Sequence, residues 1–259
     1  MRTGPSILRE ALTPLQYLEL RRSPVLDGAG VPAGRGSAVV LVPGFMCSDR
    51  LLAPMRGWLR RVGYRSHGAG IGRNTGCAEH EVGRLQRSVE RLVETEGRPV
   101  SLLGYSRGGS FVRVLAARRP ELVNGIVTLG TPSLDPRCVH LAVAGPTIAI
   151  TALGSLGVPG LLRLQCFTGA CCAEFREDLQ RPLEPSVGYV AIRSDRDGVV
   201  DHRYTPDAGA QHVEVDSTHA GYLANPRVLL AVAHALRSFG EPSTPSTTTT
   251  TKRARGARA

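Results

Sequence analysis

Val100-Ser-Leu-Leu-Gly104-Tyr-Ser106-Arg-Gly108-Gly109 is the stretch that decides the fold of this chain. Its first residues read as a strand that runs directly into Gly104-x-Ser106-x-Gly108. A helical pattern follows, with Phe111, Val112, Leu115 and Ala116 on one face and Arg113 and Arg118 off it. A serine at so sharp a strand-to-helix turn is held in strained backbone geometry with its hydroxyl pointing outward. The flanking glycines are required because side chains there would collide with the neighbouring strand or helix. The turn also sets the serine at a helix N-terminus, where unpaired N–H groups stabilise developing negative charge.

A hydroxyl is a poor nucleophile at neutral pH. It needs a histidine base, and the histidine needs an acid that fixes its tautomer and stabilises its cation. On a sheet with this turn the chain order is serine, acid, histidine, the last two on loops after later strands. Downstream, the strand-like Gly188–Arg193 leads into Ser194-Asp195-Arg196-Asp197-Gly198-Val199-Val200-Asp201. A second predicted strand, His212–Asp216, leads into Ser217-Thr218-His219, and a last helix is expected from Asn225-Pro226. Ser106, Asp197 and His219 thus stand in the required order, each just past the carboxyl end of a predicted strand. His67, His80, His140, His202, His212 and His234 lack such company and read as surface or core. No histidine pair shows metal-ligand spacing, so no metal is assigned.

With these residues in place, the chain resembles the α/β-hydrolase superfamily, in particular its bacterial esterase/lipase branch. The resemblance covers roughly residues 36–240. It rests on Leu41-Val-Pro43-Gly44-Phe45, Gly104-Tyr-Ser106-Arg-Gly108-Gly109, Leu129-Gly-Thr-Pro132, Ser194-Asp-Arg-Asp197-Gly-Val-Val200 and Ser217-Thr-His219. Where the family usually has His-Gly, this chain has Pro43-Gly44, which removes a side chain but keeps the backbone donor. The resemblance implies an α/β-hydrolase fold: a mostly parallel central sheet, helices on both faces and an inserted cap or lid. It implies a serine hydrolase cleaving carboxylic esters through an acyl-enzyme, with Ser106 as nucleophile, His219 as base and Asp197 orienting it. The backbone N–H groups of Phe45 and Arg107 would form the oxyanion hole, so that substituting either side chain need not abolish activity. The family places the acid directly before Gly-Val-Val, which favours Asp197. Asp195 and Asp201 read as turn-forming or solvated carboxylates. No cofactor is implied. Acyl transfer to an alcohol and lipid capture without turnover remain open alternatives.

The chain has 259 residues, enough for one sizeable core. Strand-like runs alternate with amphipathic helices: Ala38–Val42 precedes a helix with Leu51, Leu52, Met55, Trp58, Leu59 and Val62. Arg65–Gly68 precedes one with Val82, Leu85, Val89, Leu92 and Val93. Such alternation argues for a parallel sheet wrapped by helices. The formal net charge is +10, yet Lys252 is the only lysine among 32 basic residues. Arginines scatter along helix faces and no nucleic-acid module is present, so a nucleic-acid partner is not expected. The expected partner is a small-molecule or lipid ester, with weak attraction to anionic membranes compatible with the charge.

Residues 1–35 read as an amphipathic helical segment and linker, with Thr13-Pro14 opening a fresh helix. Packing of this segment on the domain is favoured over membrane contact. Residues 241–259, rich in Pro, Ser and Thr and ending in a basic run, read as a disordered tail. The N-terminus lacks the apolar core of a signal peptide, so a cytoplasmic protein with reduced thiols is expected. Six cysteines are present. Cys47 and Cys77 follow adjacent strands and could meet, so disulfides stay open at this point. The segment at about 133–186 occupies the place of a lid. Its stretch Cys138–Leu162 carries no formal charge. Its glycines and prolines argue against a membrane span, and a cap giving an acyl chain an apolar surface is expected.

Overall fold

The computed structural model describes residues 6–133, 138–204, 207 and 209–240. The tail expected at 241–259 lies outside the described residues. Among the described residues six strands form one sheet: β1 (Ala38–Val42), β2 (Arg65–Gly68), β3 (Val100–Tyr105), β4 (Val123–Leu129), β5 (Gly188–Arg193) and β6 (Gln211–Glu214). Their order is β2-β1-β3-β4-β5-β6, and every neighbouring pair is parallel. Every residue of β1 and β3 is buried, which is why both read as near-continuous apolar runs. The edge strands β2 and β6 carry Arg, Ser, His, Gln and Glu and stay partly open.

Among the described residues eight α-helices accompany the sheet: α1 (Thr13–Arg22), α2 (Ala53–Arg61), α3 (Ala78–Glu96), α4 (Arg107–Arg118), α5 (Leu141–Ser155), α6 (Gln165–Thr168), α7 (Ala173–Asp178) and α8 (Pro226–Ser238). Because side chains alternate along a strand, the sheet feeds two cores. Val39, Leu41, Leu103, Tyr105, Val127 and Leu129 pack with α2 and α8 on one face. Val40, Val42, Leu102 and Ile126 pack with α3 and α4 on the other. The chain leaves β1 toward β2 and returns to β3 on β1's other side. The loops after β1 and β3 therefore part at the carboxyl edge, the place where open parallel sheets form their crevice.

Local sequence explains where helices start. Asn225 accepts the Arg227 N–H at 2.9 Å and Pro226 opens α8, as the Asn-Pro pair predicts. In α2, Met55, Trp58 and Leu59 are buried, but Leu51 lies in the turn before the helix and is exposed. Leu52, at the N-cap, and Val62, at the C-cap, are buried with them, so Leu51 alone departs from the predicted apolar face. The expected strand His212–Asp216 forms as Gln211–Glu214, its end giving way to the loop that carries His219.

The N-terminal segment is a 3-10 turn (Ile7–Leu12) followed by α1, with Pro14 in its first turn. It packs on the domain, but Leu20 is its only buried apolar side chain, while Leu8, Leu15 and Leu18 face solvent. No helix among the described residues is long and apolar enough to cross a membrane.

Candidate active site

Ser106 ends β3 and caps α4 with φ 51° and ψ −125°, a left-handed backbone that a residue with a Cβ rarely adopts. The turn is compressed as the sequence requires. A Cβ on Gly108 would stand 2.3 Å from the Val42 carbonyl oxygen, and one on Gly104 would stand 2.4 Å from Gly109 Cα. Met46, in the loop after β1, is also at positive φ (59°). Of the three non-glycine residues so strained among the described residues, two therefore flank this one crevice.

The structure brings Ser106, His219 and Asp197 together from three loops. His219 Nε2 lies 3.1 Å from Ser106 Oγ, and His219 Nδ1 lies 2.8 Å from Asp197 Oδ2. The second oxygen of Asp197, Oδ1, accepts the Val199 and Val200 N–H groups at 2.8 and 2.7 Å. Those two bonds fix the carboxylate and aim its free oxygen at the imidazole. Asp197 and His219 are both buried. Tyr105 and Tyr222 wall the imidazole, with ring centroids 5.2 and 6.0 Å from it, and the Tyr105 hydroxyl donates to the His219 carbonyl at 3.3 Å.

The neighbouring acids part company with Asp197. Asp195 is exposed. Asp201 is buried rather than solvated: its carboxylate accepts the Arg203 N–H at 3.1 Å and pairs with the Arg203 guanidinium at 2.5 Å. That pairing holds its carboxyl below the usual range. Among the other histidines, His140 caps α5 by accepting the Ala142 N–H, and His212 meets the Asp207 carbonyl.

Phe45 and Arg107 face the crevice from the loop after β1 and the first turn of α4, and their N–H groups make no backbone hydrogen bond among the described residues. The loop after β1 is pinned by Asn74, which sequence reasoning missed. Asn74 is fully buried; its Nδ2 donates to the Pro43 carbonyl at 2.8 Å, and its carbonyl accepts the Met46 N–H at 3.0 Å. Arg107 closes this arrangement, its guanidinium donating to Asn74 Oδ1 at 2.5 Å and to the Gly76 carbonyl at 2.8 Å. Burial pulls that guanidinium down to about 10, with Glu81 opposing, so it is charged at neutral pH. The Arg107 side chain thus ties the first turn of α4 to the loop that Asn74 pins, a set of contacts additional to the backbone role expected of it.

The N-terminal segment supplies a second brace that no local motif announced. Glu10 accepts the N–H groups of Gly198, His219 and Ala220 at 3.0, 2.8 and 2.9 Å. One carboxylate thus ties the acid loop to the histidine loop. Gln16 Oε1 accepts from Thr218, and Thr13 Oγ1 meets Thr218 Oγ1 at 2.7 Å.

A cavity of about 830 Å³ lies beside Asp197 and Tyr222 but reaches neither Ser106 nor His219, so it is not where a scissile bond would sit. The insertion meets the site at its ends. Val139 pairs with Val200 of the acid loop, and the Leu162 N–H donates to the Thr75 carbonyl, beside Asn74, at 2.7 Å. Between these anchors α5 exposes Leu141, Ile148 and Leu153, and its C-cap residue Leu156 is exposed too.

No protein-family model matches the chain. Solved structures do. The metagenomic carboxyl esterase MGS0156 superposes with TM-score 0.61 at 16% identity, over 90% of this chain and 91% of that one. The mature lipase BlEst2 of Bacillus licheniformis gives 0.59 at 16% identity, over 80% and 94%. MGS-MChE2, an alpha/beta hydrolase enzyme from lagoon-sediment metagenome, gives 0.51 at 19%, over 78% and 90%. This chain has the α/β-hydrolase fold. At these identities the likeness establishes the architecture alone, and the chemistry must be argued from the site.

Proposed function

We propose that this α/β-hydrolase cleaves carboxylic esters, lipid-like or of medium acyl length, through an acyl-enzyme on Ser106. The observation that carries this reading is the unbroken relay from Ser106 Oγ through His219 to Asp197, at 3.1 and 2.8 Å. His219 Nε2 takes the hydroxyl proton as Oγ attacks the carbonyl carbon, and Asp197 stabilises the imidazolium through Nδ1. The Phe45 and Arg107 N–H groups meet the oxyanion, each such donor contributing about 2.7–4 kcal/mol to the transition state. The imidazolium then protonates the departing alcohol. Water, deprotonated by the same imidazole, releases the acid.

The lipase and carboxyl esterase among the solved structures of this fold support the reaction class. The insertion supports an apolar substrate. Its anchors stand past the carboxyl ends of β5 and β2, on either side of β1, β3 and β4, a placement that suits a cap over the edge where Ser106 lies. An uncharged helix in that position excludes water and offers an acyl chain a surface.

An acyl-chain series of nitrophenyl esters tests this reading. The expected result is turnover favouring medium chains and lost in Ser106→Ala. Turnover equal in wild type and Ser106→Ala would overturn it, as would folded wild-type protein without turnover. Release of free acid in the presence of added alcohol distinguishes hydrolysis from acyl transfer.

A further inference from the structure

Cys77 stands just before α3, Cys166 in α6, and Cys171 and Cys172 in the 3-10 turn that precedes α7. Their four Sγ atoms lie within 4.8 Å of one another. Cys172 Sγ is 3.3 Å from Cys77 Sγ and 3.9 Å from Cys171 Sγ. A tetrahedral zinc with Zn–S bonds of about 2.3 Å needs sulfurs roughly 3.8 Å apart, so small rotamer adjustments bring all four to one centre. In the sequence no histidine pair has metal-ligand spacing, and Cys47 and Cys77 are the cysteines whose predicted strands bring them near. The fold instead carries Cys77 to three cysteines of the insertion.

The surroundings fit a metal better than two pairs of disulfides. Cys172 approaches two sulfurs at once, one of them its own chain neighbour. All four cysteines are free thiols. Sulfur-only donors select zinc and softer ions over magnesium or calcium. The backbone around the cluster is already fastened: the Arg163 N–H donates to Cys166 Sγ at 3.4 Å, and Arg176 Nη2 donates to the Gly169 carbonyl at 3.0 Å. Four thiolates on a dication leave net negative charge, and the Arg107 guanidinium, bound to the Gly76 carbonyl next to Cys77, stands ready to balance it. Cys171 is exposed, and a cavity of about 540 Å³ bordered by Cys77, Cys166 and Cys171 gives an ion a route in.

We propose that Cys77, Cys166, Cys171 and Cys172 form a structural tetrathiolate site for Zn²⁺ that clasps the insertion to the start of α3. On binding, four S–H groups release their protons to solvent and four Zn–S bonds form, with no change of oxidation state. The Cys171 thiol gives up its present bond to the Gln165 carbonyl. The clasp lies three residues from Asn74, so it also steadies the loop that positions Phe45.

The test is elemental analysis of the full chain, produced with zinc under reducing conditions and dialysed extensively, together with cobalt substitution. One zinc per chain is expected, lost in Cys166→Ser and in Cys171→Ser and kept in Cys47→Ser. The cobalt form should show the intense sulfur-to-metal charge-transfer band and the visible bands of a tetrahedral tetrathiolate. That spectrum is read on the wild type, so it decides even if a serine variant fails to fold. Folded wild type without stoichiometric zinc, metal retained in both serine variants, or Cys77–Cys172 and Cys166–Cys171 disulfides in freshly isolated protein would each overturn the proposal.

Discussion

Glu10 shows how much of the site depends on residues remote from it in sequence. Three backbone N–H groups converge on its carboxylate, two from the histidine loop and one from the acid loop. Hydrogen bonds to a charged acceptor contribute more than neutral ones, about 1.5–3 kcal/mol. Glu10→Ala should therefore destabilise the protein by about that amount in denaturant melts. It should also lower kcat with little change in KM, because His219 loses its anchor while the binding surface stays. Glu10→Gln, which keeps one acceptor oxygen, should recover part of both losses. Unchanged kcat in folded Glu10→Ala would show that the brace is irrelevant to the site. Nothing in Ser-Ile-Leu-Arg-Glu10 signals this role, because the contact joins positions about two hundred apart and leaves no local pattern. Ser106, Asp197 and His219 were legible for the opposite reason: each sits at a strand end whose own residues announce the strand. Asn74 was not, since a buried asparagine in a loop looks like any turn residue until its partners are known.

Among the elements, those whose residues satisfy their own geometry were read correctly. The β3 turn into α4 and the Asn225-Pro226 start of α8 carry their instructions locally. Elements defined by tertiary contact were not. Residues Ile7–Arg22 have leucines at helical spacing, yet the segment docks through Glu10, Thr13 and Gln16 and leaves most of those leucines outside. The polar side chains between the leucines make the packing contacts, which an apolar stripe at helical spacing does not reveal. Leu15 and Leu18 are 62% and 48% exposed, against 7% for Leu20. Leu15→Gln and Leu18→Gln should each change stability by less than about 0.5 kcal/mol, as surface substitutions do. Leu20→Ala should cost about 2–4 kcal/mol, as loss of a buried leucine does. Equal effects at all three positions in urea melts would contradict this docking.

The whole molecule stores part of its stability in buried phenols. The chain has six tyrosines, and burial holds four of them protonated beyond their usual range. Tyr64 is pushed up to about 12 by burial, with Arg237 opposing. Tyr105 and Tyr222 rise well above their usual value through burial first, followed by Cys47 and then Asp197 for Tyr105 and by Asp197 for Tyr222, and Tyr189 rises through burial and Asp207. In the unfolded chain these phenols ionise near pH 10. Their contribution is therefore fully present below about pH 10 and is lost as pH climbs through the folded values, because the unfolded state then releases protons that the native state retains. Alkaline titration followed at once by tyrosinate absorbance and circular dichroism should show the four ionising together with unfolding. Ionisation of all six near pH 10 in still-folded protein would contradict this burial.

The strained turn, the imidazole and the fixed carboxylate are together expected to make Ser106 a nucleophile, and intact-mass measurement after treatment with a fluorophosphonate, wild type beside Ser106→Ala, tests this. A single phosphonyl adduct on the wild type, absent from the folded variant, is the predicted result. The same adduct on both, or none on folded wild type even with detergent added, would contradict it.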